Sequence, residues 1–396
     1  MRAAAGQRVL ALNAGSSSLK FAVFEASSRL CYGQVEGIGT RPRLLVGGGT
    51  AQLPRDLPLA TGHASALTEI LGALAKCGVS LADISACGHR IVHGGAQFVA
   101  PMILDHARLD ALQALRSLAP LHNGFGLAVI EALLGSAPTL PQVACFDTAF
   151  HATVPDVACR FALPVELHDA GYRRYGFHGL SFEHVTTALT EQGGGAPPVR
   201  LLIFHLGNGC SAAAVREGRS VATTMGYSTL DGLVMGTRCG AIDPGVLLAL
   251  QRDRQLSVDE LEELLYRRSG LLGLSGRTSD MRELAQIDDA ACRRAVEHFC
   301  YWAARQAGSL VVALGGLDAV AFTGGIGAGS AMVRRRIVGH LAWLGVAIDD
   351  ELNNKGEGSL AMPGSSCAVW VVATDEELTI ARHVYATVAA PHRANS

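Results

Sequence analysis

Residues 9–24 read VLALNAGSSSLKFAVF, two apolar segments joined by a short polar stretch. The first segment is continuously apolar, whereas Leu19, Phe21 and Val23 alternate with other residues in the second, and both patterns are typical of β-strands. The glycine and serines between the segments predict a turn. We therefore predict a β-hairpin with a polar tip, around which the first part of the chain folds.

The tip of this hairpin carries groups that suit an anion. Gly15 lets backbone N–H groups approach closely, and hydroxyls such as those of Ser16 and Ser18 add donors. Lys20 would bring a positive charge to the same place. No G-x-x-x-x-G-K-[ST] sequence opens a helix here, so the segment is not a Walker loop. Taken alone, a Gly/Ser turn is more often only a turn.

A second segment repeats the pattern. Residues 201–224 read LLIFHLGNGCSAAAVREGRSVATT, again an apolar strand, a polar tip at 207–211 and a second strand, with a further turn at Glu217 and Gly218. Two such hairpins about half a chain apart predict a duplicated unit. Two tips that face each other would hold a polyphosphate from both sides.

Composition limits the class of protein. A chain of 396 residues with 49% hydrophobic residues is expected to form two domains. The formal net charge of −2, without clustered positive charge, argues against a nucleic-acid surface. No apolar run has the length of a membrane span, and the start is a poor signal peptide, so we expect a cytoplasmic protein without a membrane partner. The ten cysteines show no C-x-x-C pair, which favours reduced thiols.

Two charged residues lie at the carboxyl ends of predicted strands. Arg90 lies in CGHRIVHGG, and Asp147 ends the short apolar strand of VACFDTAFH. An α/β sheet usually presents ligands at the carboxyl ends of its strands. From these segments alone, a surface arginine and a helix cap are the commoner explanations. The motif RRYGFHG at 173–179 is less ordinary, because it places two arginines, two aromatic rings and a histidine in one glycine-bounded loop.

Glycine-rich segments occupy much of the second half. Arg238 lies between glycines in MGYSTLDGLVMGTRCGAIDP, and long loops of this kind generally serve a ligand. Asp280 and Arg282 are two residues apart, so in an extended segment both would point the same way. Residues 319–323 predict a strand that leads into a glycine turn and then a helix from Ala331, which would present a helix N-terminus to a nucleotide.

Four further expectations concern helices and a thiol. Residues 295–314 predict a long apolar helix that is buried, and the acidic residues 375–377 open the predicted last helix. The basic triplet 334–336 is interpreted as a solvated helix face. The thiol of Cys239 is expected to be reactive if it shares the positive field of Arg238, although a buried, inert cysteine is at least as common.

The motifs of this chain resemble those of one family. The motifs NAGSSSLK, HRIVHGG, APLHN, FDTAFH, RRYGFHG, HLGNG, MGTR, SGRTSDMR, FTGGIG and TDEEL occur here in the order found in acetate kinases. The resemblance covers residues 9 to about 380. It is specific, because many independent motifs agree in order and spacing.

The resemblance implies an α/β fold of two duplicated actin-like ATPase (ribonuclease H-like) domains, with the nucleotide in the interdomain cleft. It implies an N-terminal domain at residues 1–152, on which the last helix at about 380–396 packs, and a nucleotide-binding domain at 153–396. It also implies a homodimer. The implied ligands are ATP or ADP, Mg²⁺ with Mn²⁺ as the alternative, and a short-chain carboxylate or its acyl phosphate.

The resemblance also assigns roles to residues by position. The implied catalytic residues are Asp147, His178 and Arg238. Arg90 resembles the carboxylate-binding residue, and the neighbouring apolar residues predict a pocket for the substrate's apolar end made of Val92, Leu121 and Phe177. The implied metal residues are Asn13 and Glu376.

The implied ATP contacts form the largest set and come from both hairpin tips and the glycine-rich segments. They are Lys20, Ser16, Ser18, His205, Leu206, Gly207, Asn208, Gly209, Asp280, Met281, Arg282, Gly325, Ile326, Gly327, Ala328 and Gly329. Three departures from the family pattern leave the preferred acid and nucleotide open: glycines at 124 and 126, Ser228 and Thr229 around a missing proline, and Ala328 with Gly329.

The implied activity is reversible transfer of the ATP γ-phosphoryl group to acetate, giving acetyl phosphate and ADP. A carboxylate with a pKa of about 4 is already ionised at neutral pH, so Asp147 is expected to orient other groups more than to take a proton. One rival is a propionate or butyrate kinase on the same fold. Another is a non-catalytic nucleotide sensor or filament protein, which has no need of the carboxylate-binding Arg90.

Overall fold

Two mixed β-sheets, one in each of two structural units, organise the molecule. A computed structural model describes residues 6–48, 52–115 and 123–389. One unit comprises the described parts of residues 1–149 and 375–396, and the other comprises residues 150–374. The second unit is continuous in sequence, whereas the first combines residues from both ends of the chain.

The strands alternate with helices along both units. The strands are β1 (Arg8–Ala14), β2 (Ser18–Glu25), β3 (Ser28–Glu36), β4 (Arg43–Gly47), β5 (Gln52–Asp56), β6 (Ile84–Ile91), β7 (Met102–Ile103), β8 (Gln142–Phe146), β9 (Arg200–Leu206), β10 (Cys210–Arg216), β11 (Arg219–Thr223), β12 (Ala319–Thr323), β13 (Gly358–Ser359) and β14 (Ala368–Val371).

The α-helices are α1 (His63–Lys76), α2 (His106–Ala114), α3 (Asn123–Ser136), α4 (Asp156–Cys159), α5 (Val165–Asp169), α6 (Gly179–Gln192), α7 (Pro244–Arg254), α8 (Val258–Arg267), α9 (Gly270–Ser275), α10 (Met281–Gln286), α11 (Ala290–Leu314), α12 (Gly324–Gly329), α13 (Ala331–Leu341), α14 (Asp350–Lys355) and α15 (Glu376–Ala389). Short 3₁₀ helices cover Leu81–Asp83, Ala149–Thr153 and Ala342–Leu344.

Six strands follow the same order in both sheets, and the first sheet has two further strands, β5 and β4, at one edge. The first sheet runs β5-β4-β3-β2-β1-β6-β8-β7 and the second runs β11-β10-β9-β12-β14-β13. In this shared part, two antiparallel strands, β3 and β2 or β11 and β10, lead to three parallel ones, β1, β6 and β8 in the first sheet and β9, β12 and β14 in the second. This repetition confirms the predicted α/β fold with a duplicated unit. It also gives each unit a sheet edge at which the carboxyl ends of three parallel strands lie together.

The first hairpin forms as predicted, with a shorter tip. β1 and β2 pair from Arg8 opposite Glu25 to Ala14 opposite Leu19, so Asn13 lies in the ladder opposite Lys20. The alternating apolar residues of β2 belong to the core cluster that includes buried residues of α1 and α3. Burial of each large side chain there contributes about 1.5–3 kcal/mol, which fixes the register of the hairpin.

Helix α15 packs tightly on the first sheet. A Cβ atom at Gly88 in β6 would lie 2.4 Å from Cγ2 of Ile380 and 2.6 Å from Cγ2 of Val384. Both side chains of α15 are fully buried. Only glycine at position 88 therefore allows this helix to approach the strand.

In the second unit, the hairpin of β9 and β10 is confirmed, and so is the turn at Glu217 and Gly218, both of which have positive φ. Helix α11 contains the predicted 295–314 helix, but it is buried on one side only, since Val312 is 82% exposed. Among the described residues, no helix is long and apolar enough to cross a membrane.

Two predictions about the second unit are wrong. The glycine segment after β12 is not a turn but the helix α12, which begins directly after Thr323. Asp280 and Arg282 do not lie in an extended segment: Asp280 is the N-cap of α10, and its Oδ1 accepts the backbone N–H of Arg282 at 2.7 Å. In both segments, tertiary contacts and caps select helix where glycine content and residue spacing predicted otherwise.

Candidate active site

The predicted site residues of the first unit gather at the carboxyl ends of its parallel strands. Arg90 lies at the end of β6, Asp147 directly follows β8, and Asn13 lies near the end of β1. Nε and an Nη atom of Arg90 donate to Oδ2 of Asp147 at 3.0 and 2.5 Å, and the other Nη atom donates to Oδ1 of Asn13 at 3.2 Å. These residues are adjacent because strands distant in sequence pair side by side.

Arg90 keeps free donors although it is tightly held. Burial alone would lower the pKa of its guanidinium, but the charges of Asp147 and Glu376 and the hydrogen bond to Asp147 raise that pKa above the usual value. A guanidinium has five N–H groups, and within the described chain three of them donate. The remaining two are available for an anion, and the side chain is 15% exposed.

Two carboxylates of α15 complete this cluster. Nδ2 of Asn13 donates to Oε2 of Glu376 at 2.8 Å and to Oε1 of Glu377 at 2.9 Å. Burial, and then the charge of Glu376, raise the pKa of the Glu377 carboxyl group. The helix opens with acidic residues as predicted, and Asp375 accepts the backbone N–H of Leu378 as its cap. The motifs did not single out Glu377, whose contact with Asn13 depends on the packing of α15.

Two hydrogen bonds of Gly15 hold the tip of the first hairpin in place. The backbone N–H of Gly15 donates to the carbonyl of Ser18 at 2.8 Å, and Ser16 and Lys20 are exposed. The Gly15 carbonyl lies 2.7 Å from Nε2 of His63, which must carry the proton because a carbonyl only accepts. His63 was not predicted as a site residue, since its distance from the hairpin in sequence leaves no local signal.

In the second unit, His178 and Arg238 converge on the tip of the second hairpin. A Cβ atom at Gly209 would lie 2.8 Å from an Nη atom of Arg238 and 3.1 Å from Nε2 of His178. Arg238 also donates to the carbonyl of Thr229 at 2.7 Å, and burial lowers the pKa of its guanidinium. Glycine at position 209 therefore leaves room for both side chains beside the β9–β10 turn.

His178 is fixed by its backbone and by two neighbours. Its φ of 58° is left-handed, and it immediately precedes α6. Its Nδ1 lies 2.8 Å from the hydroxyl of Ser211, and its ring stacks on His205 with centroids 4.3 Å apart. The Ser181 hydroxyl lies 2.8 Å from Nδ1 of His205. These contacts leave Nε2 of His178 directed toward Gly209.

A buried histidine holds the loop before His178. His151 is 3% exposed, and its Nε2 donates to the carbonyl of Phe177 at 3.1 Å while its Nδ1 lies 2.8 Å from the Ser220 hydroxyl. A Cβ atom at Gly176 would lie 2.6 Å from the imidazole. His151 belongs to the FDTAFH motif, but its role in positioning the loop was not predicted because its partners, Phe177 and Ser220, come from two other segments of the chain.

The predicted nucleotide residues of the second unit lie on several elements. The tip at 207–209 is closed by a 3.0 Å hydrogen bond from the Gly207 N–H to the Gly209 carbonyl. A Cβ atom at Gly324, where φ is 78°, would lie 2.5 Å from the Leu206 carbonyl, so α12 begins against the end of β9. Arg282 pairs with Asp280 at 2.6 Å and its side chain is 86% exposed.

Of the three predicted pocket residues, two are buried and one lies outside the described residues. Val92 in the first unit and Phe177 in the second are both buried, at 5% and 1% exposure. Leu121 lies outside the described residues. Thr229, which departs from the family pattern, is buried and offers its carbonyl to Arg238.

The structure favours the inert alternative for Cys239, whose side chain is partly buried. Burial raises the pKa of its thiol to about 11. The thiol on which the positive charge of Arg238 acts is instead Cys210, whose pKa burial still raises to about 12. Cys239 is next to Arg238 in sequence, but the charge of Arg238 acts on the pKa of Cys210 and not on that of Cys239.

Comparison with known proteins agrees with this arrangement. The model of the Acetokinase family matches residues 8–382. An acetate kinase of Rhodopseudomonas palustris is 46% identical over 95% of this chain and 97% of that protein, and one of Nitrobacter hamburgensis is 44% identical over 95% of each. These matches cover both units.

Solved structures extend the likeness to the fold. A propionate kinase of Francisella tularensis superimposes with a TM-score of 0.89 at 37% identity, covering 95% of this chain and 98% of that one. An acetate kinase of Porphyromonas gingivalis gives a TM-score of 0.87 at 32% identity, covering 96% of this chain and all of that one. The predicted resemblance and the predicted activity are thereby confirmed: the chain belongs to the acetokinase family and is an enzyme, a kinase that acts on acetate.

Proposed function

We propose that this kinase transfers the γ-phosphoryl group of ATP reversibly to the carboxylate of acetate, giving acetyl phosphate and ADP, and that Arg90 binds this carboxylate. The observation that carries the assignment is the pair of N–H donors that Arg90 retains among the described residues. Two N–H groups of one planar guanidinium match the two oxygens of a carboxylate.

The remaining charged residues then take complementary roles. Acetate is ionised at neutral pH and needs orientation rather than a strong base. Because Oδ2 of Asp147 accepts two hydrogen bonds from Arg90, we assign Asp147 the task of orienting that guanidinium. Arg238 and His178, which converge on Gly209, would stabilise charge on the transferred phosphoryl group.

We assign a divalent metal, Mg²⁺ in the first instance, to the cluster of Asn13 and Glu376, with Glu377 beside it. Within the described chain no group of three or more His, Cys, Asp or Glu side chains could hold a metal. Mg²⁺ is commonly bound through one or two carboxylates together with substrate phosphates, so a carboxylate pair suffices. The pair fits a cation, because burial and then the charge of Glu376 raise the pKa of Glu377, and a nearby positive charge would stabilise both carboxylates. When bound, the metal would neutralise phosphate charge.

A second acid is part of the proposal. The Francisella tularensis neighbour is named a propionate kinase, and the apolar Val92 follows Arg90 closely in sequence. One methylene in an apolar pocket changes preference by only about tenfold, since its burial contributes roughly 1 kcal/mol. We therefore propose that acetate and propionate are both substrates, with kcat/KM values within about two orders of magnitude.

The test is acyl phosphate formation, trapped as the hydroxamate, with ATP, Mg²⁺ and acetate, propionate or butyrate. We expect product with acetate and propionate, and we expect Val92→Ala to shift the kcat/KM ratio toward propionate. Absence of product with all three acids would remove the proposed reaction. An unchanged ratio in the Val92→Ala enzyme would show that Val92 does not line the pocket.

We also infer a homodimer formed through the second unit. Large exposed apolar side chains are frequent in two of its segments: Val157, Leu163 and Val165 in one, and Val246, Leu248 and Val258 in the other. Exposed apolar surface is typical of protein interfaces. Light scattering should give twice the chain mass, and Leu248→Lys should lower it; a wild-type monomer would contradict the inference.

A further inference from the structure

Arg334 in α13 is the largest fully buried side chain of the described molecule, with 1% of the residue exposed. It belongs to the triplet 334–336, which was interpreted as a solvated helix face. That interpretation is wrong for Arg334, although it holds for Arg335, which forms a 2.7 Å ion pair with Asp350 and is 47% exposed. A buried arginine needs a physical reason, because removing its charge from water is costly.

The partners of Arg334 are neutral acceptors on two other elements. One Nη atom donates to the carbonyls of Gly327 and Ala328 at 2.9 and 2.7 Å. Nε donates to Oδ1 of Asn353 at 2.8 Å, and the other Nη atom donates to the Asn353 carbonyl at 2.5 Å. Burial lowers the pKa of the guanidinium, but an arginine remains charged. Its charge therefore faces carbonyl dipoles near the C-terminal end of α12, where the helix dipole is negative.

Helix α12 depends on such outside support. It has six residues, GGIGAG, and both its shortness and its glycines make it unstable as an isolated helix. At its start, Gly324 packs on the Leu206 carbonyl. Near its end, Ile326 accepts the backbone N–H of Ser330 at 2.9 Å, and Ser330 caps α13. From α13, the Arg334 side chain extends to α12 and donates to the carbonyls of Gly327 and Ala328, two of the last three residues of α12.

We propose that Arg334 is a positioning residue for the nucleotide: by holding the carbonyls of Gly327 and Ala328, it keeps α12 in the arrangement that binds ATP or ADP. This inference rests on the proposed ATP-dependent reaction and on the family resemblance, which implies that residues 325–329 contact ATP. Arg334 itself is buried and touches no substrate in this scheme. Its loss should therefore affect nucleotide affinity more than the chemistry at the acceptor carboxylate.

The test combines ADP binding by calorimetry with steady-state kinetics of Arg334→Met. We expect the Kd for ADP and the KM for ATP to rise about tenfold or more, the effect of losing hydrogen bonds from a charged donor, while the KM for acetate stays within about twofold. Arg335→Met changes an arginine of the same helix and should leave all three constants unchanged. Guanidinium ion added to Arg334→Ala should restore part of the ADP affinity.

The readouts separate the possible failures. If the wild type binds ADP but makes no acyl phosphate, the proposed reaction fails, while the ADP affinities still decide the role of Arg334. If Arg334→Met does not fold, Arg334→Lys replaces it in the test, because lysine keeps the charge but lacks the planar guanidinium. This variant should bind ADP more weakly than the wild type. Folded Arg334 variants with lower thermal stability but wild-type Kd and KM would show that the residue only stabilises the fold and would overturn the proposal.

Discussion

The ion pair of Arg90 and Asp147 links stability to the site. Asp147 is 0% exposed, so Arg90→Met would leave its carboxylate buried without the guanidinium. We expect the free energy of unfolding to fall by about 3–5 kcal/mol, the usual effect of removing one partner of a buried pair. The double variant Arg90→Met/Asp147→Leu should recover most of this loss, because it removes the buried carboxylate together with the guanidinium. Urea denaturation of the three proteins measures both effects.

A surface pair in the same unit serves as the control for this cycle. Arg43 and Asp56 lie 3.1 Å apart with side chains 47% and 87% exposed, so Arg43→Met should change stability by no more than about 1 kcal/mol. Equal stability of the single variant Arg90→Met and the double variant would contradict the assignment of a buried, mutually dependent pair.

Among the elements, the tip of the second hairpin has little room for a side chain at Gly209. A methyl group at position 209 would press on the Arg238 guanidinium and on Nε2 of His178. We expect Gly209→Ala to lower kcat by about 10- to 100-fold, because displacements of less than 1 Å at reacting groups have effects of this size. Stability should change little, since the ends of two side chains can move. Steady-state kinetics and thermal denaturation measure the two effects separately.

Helix α11 offers a matched control. No atom would lie within 4 Å of a Cβ at Gly308, so Gly308→Ala should leave kcat unchanged and raise stability by about 0.5–1 kcal/mol. Wild-type kcat in the Gly209→Ala enzyme would mean that the placement of His178 and Arg238 beside this tip does not matter for turnover.

Elements with strong local signals could be predicted from the sequence, and those set by distant contacts could not. Both hairpins follow from alternation and turn residues, and the charged ends of β6 and β8 follow from strand patterns. Helix α12 did not, because its glycines favour a turn until Gly324 packs on β9 and Arg334 binds its end. The supporting histidines His63 and His151 were missed for the same reason, since each joins segments far apart in sequence.

On the scale of the whole molecule, duplication explains why each unit carries its own cluster of charged residues beside its sheet. The repeated strand order gives each unit an edge of three parallel strands. Asn13 and Glu376 are 363 residues apart and meet in the first unit only because α15 packs on its sheet. The family resemblance could assign both residues to a metal site from the order of the motifs. The contact between them, however, depends on the tertiary packing of α15.

Each unit also contains a buried neutral histidine, which predicts how the molecule responds to acid. Burial lowers the pKa of His89 in the first unit and of His151 in the second to about 4, from 6.5 in an exposed chain. Between pH 6.5 and 4 the histidine is protonated in the unfolded chain but stays neutral in the folded protein. The free energy of unfolding is therefore highest above pH 6.5 and falls as the pH decreases toward 4. Each histidine should contribute a slope of about 1.4 kcal/mol per pH unit in this window.

Denaturation between pH 7.5 and 5 tests this expectation unit by unit. The three tryptophans, Trp302, Trp343 and Trp370, all lie in the second unit, so their fluorescence follows the unit of His151, whereas circular dichroism follows both units. The variant His151→Gln should lose about 1.4 kcal/mol per pH unit of slope in the fluorescence signal, and His89→Gln should leave that signal's slope unchanged. A flat stability profile from pH 6.5 to 5 in the wild type would mean that these histidines take up protons without unfolding.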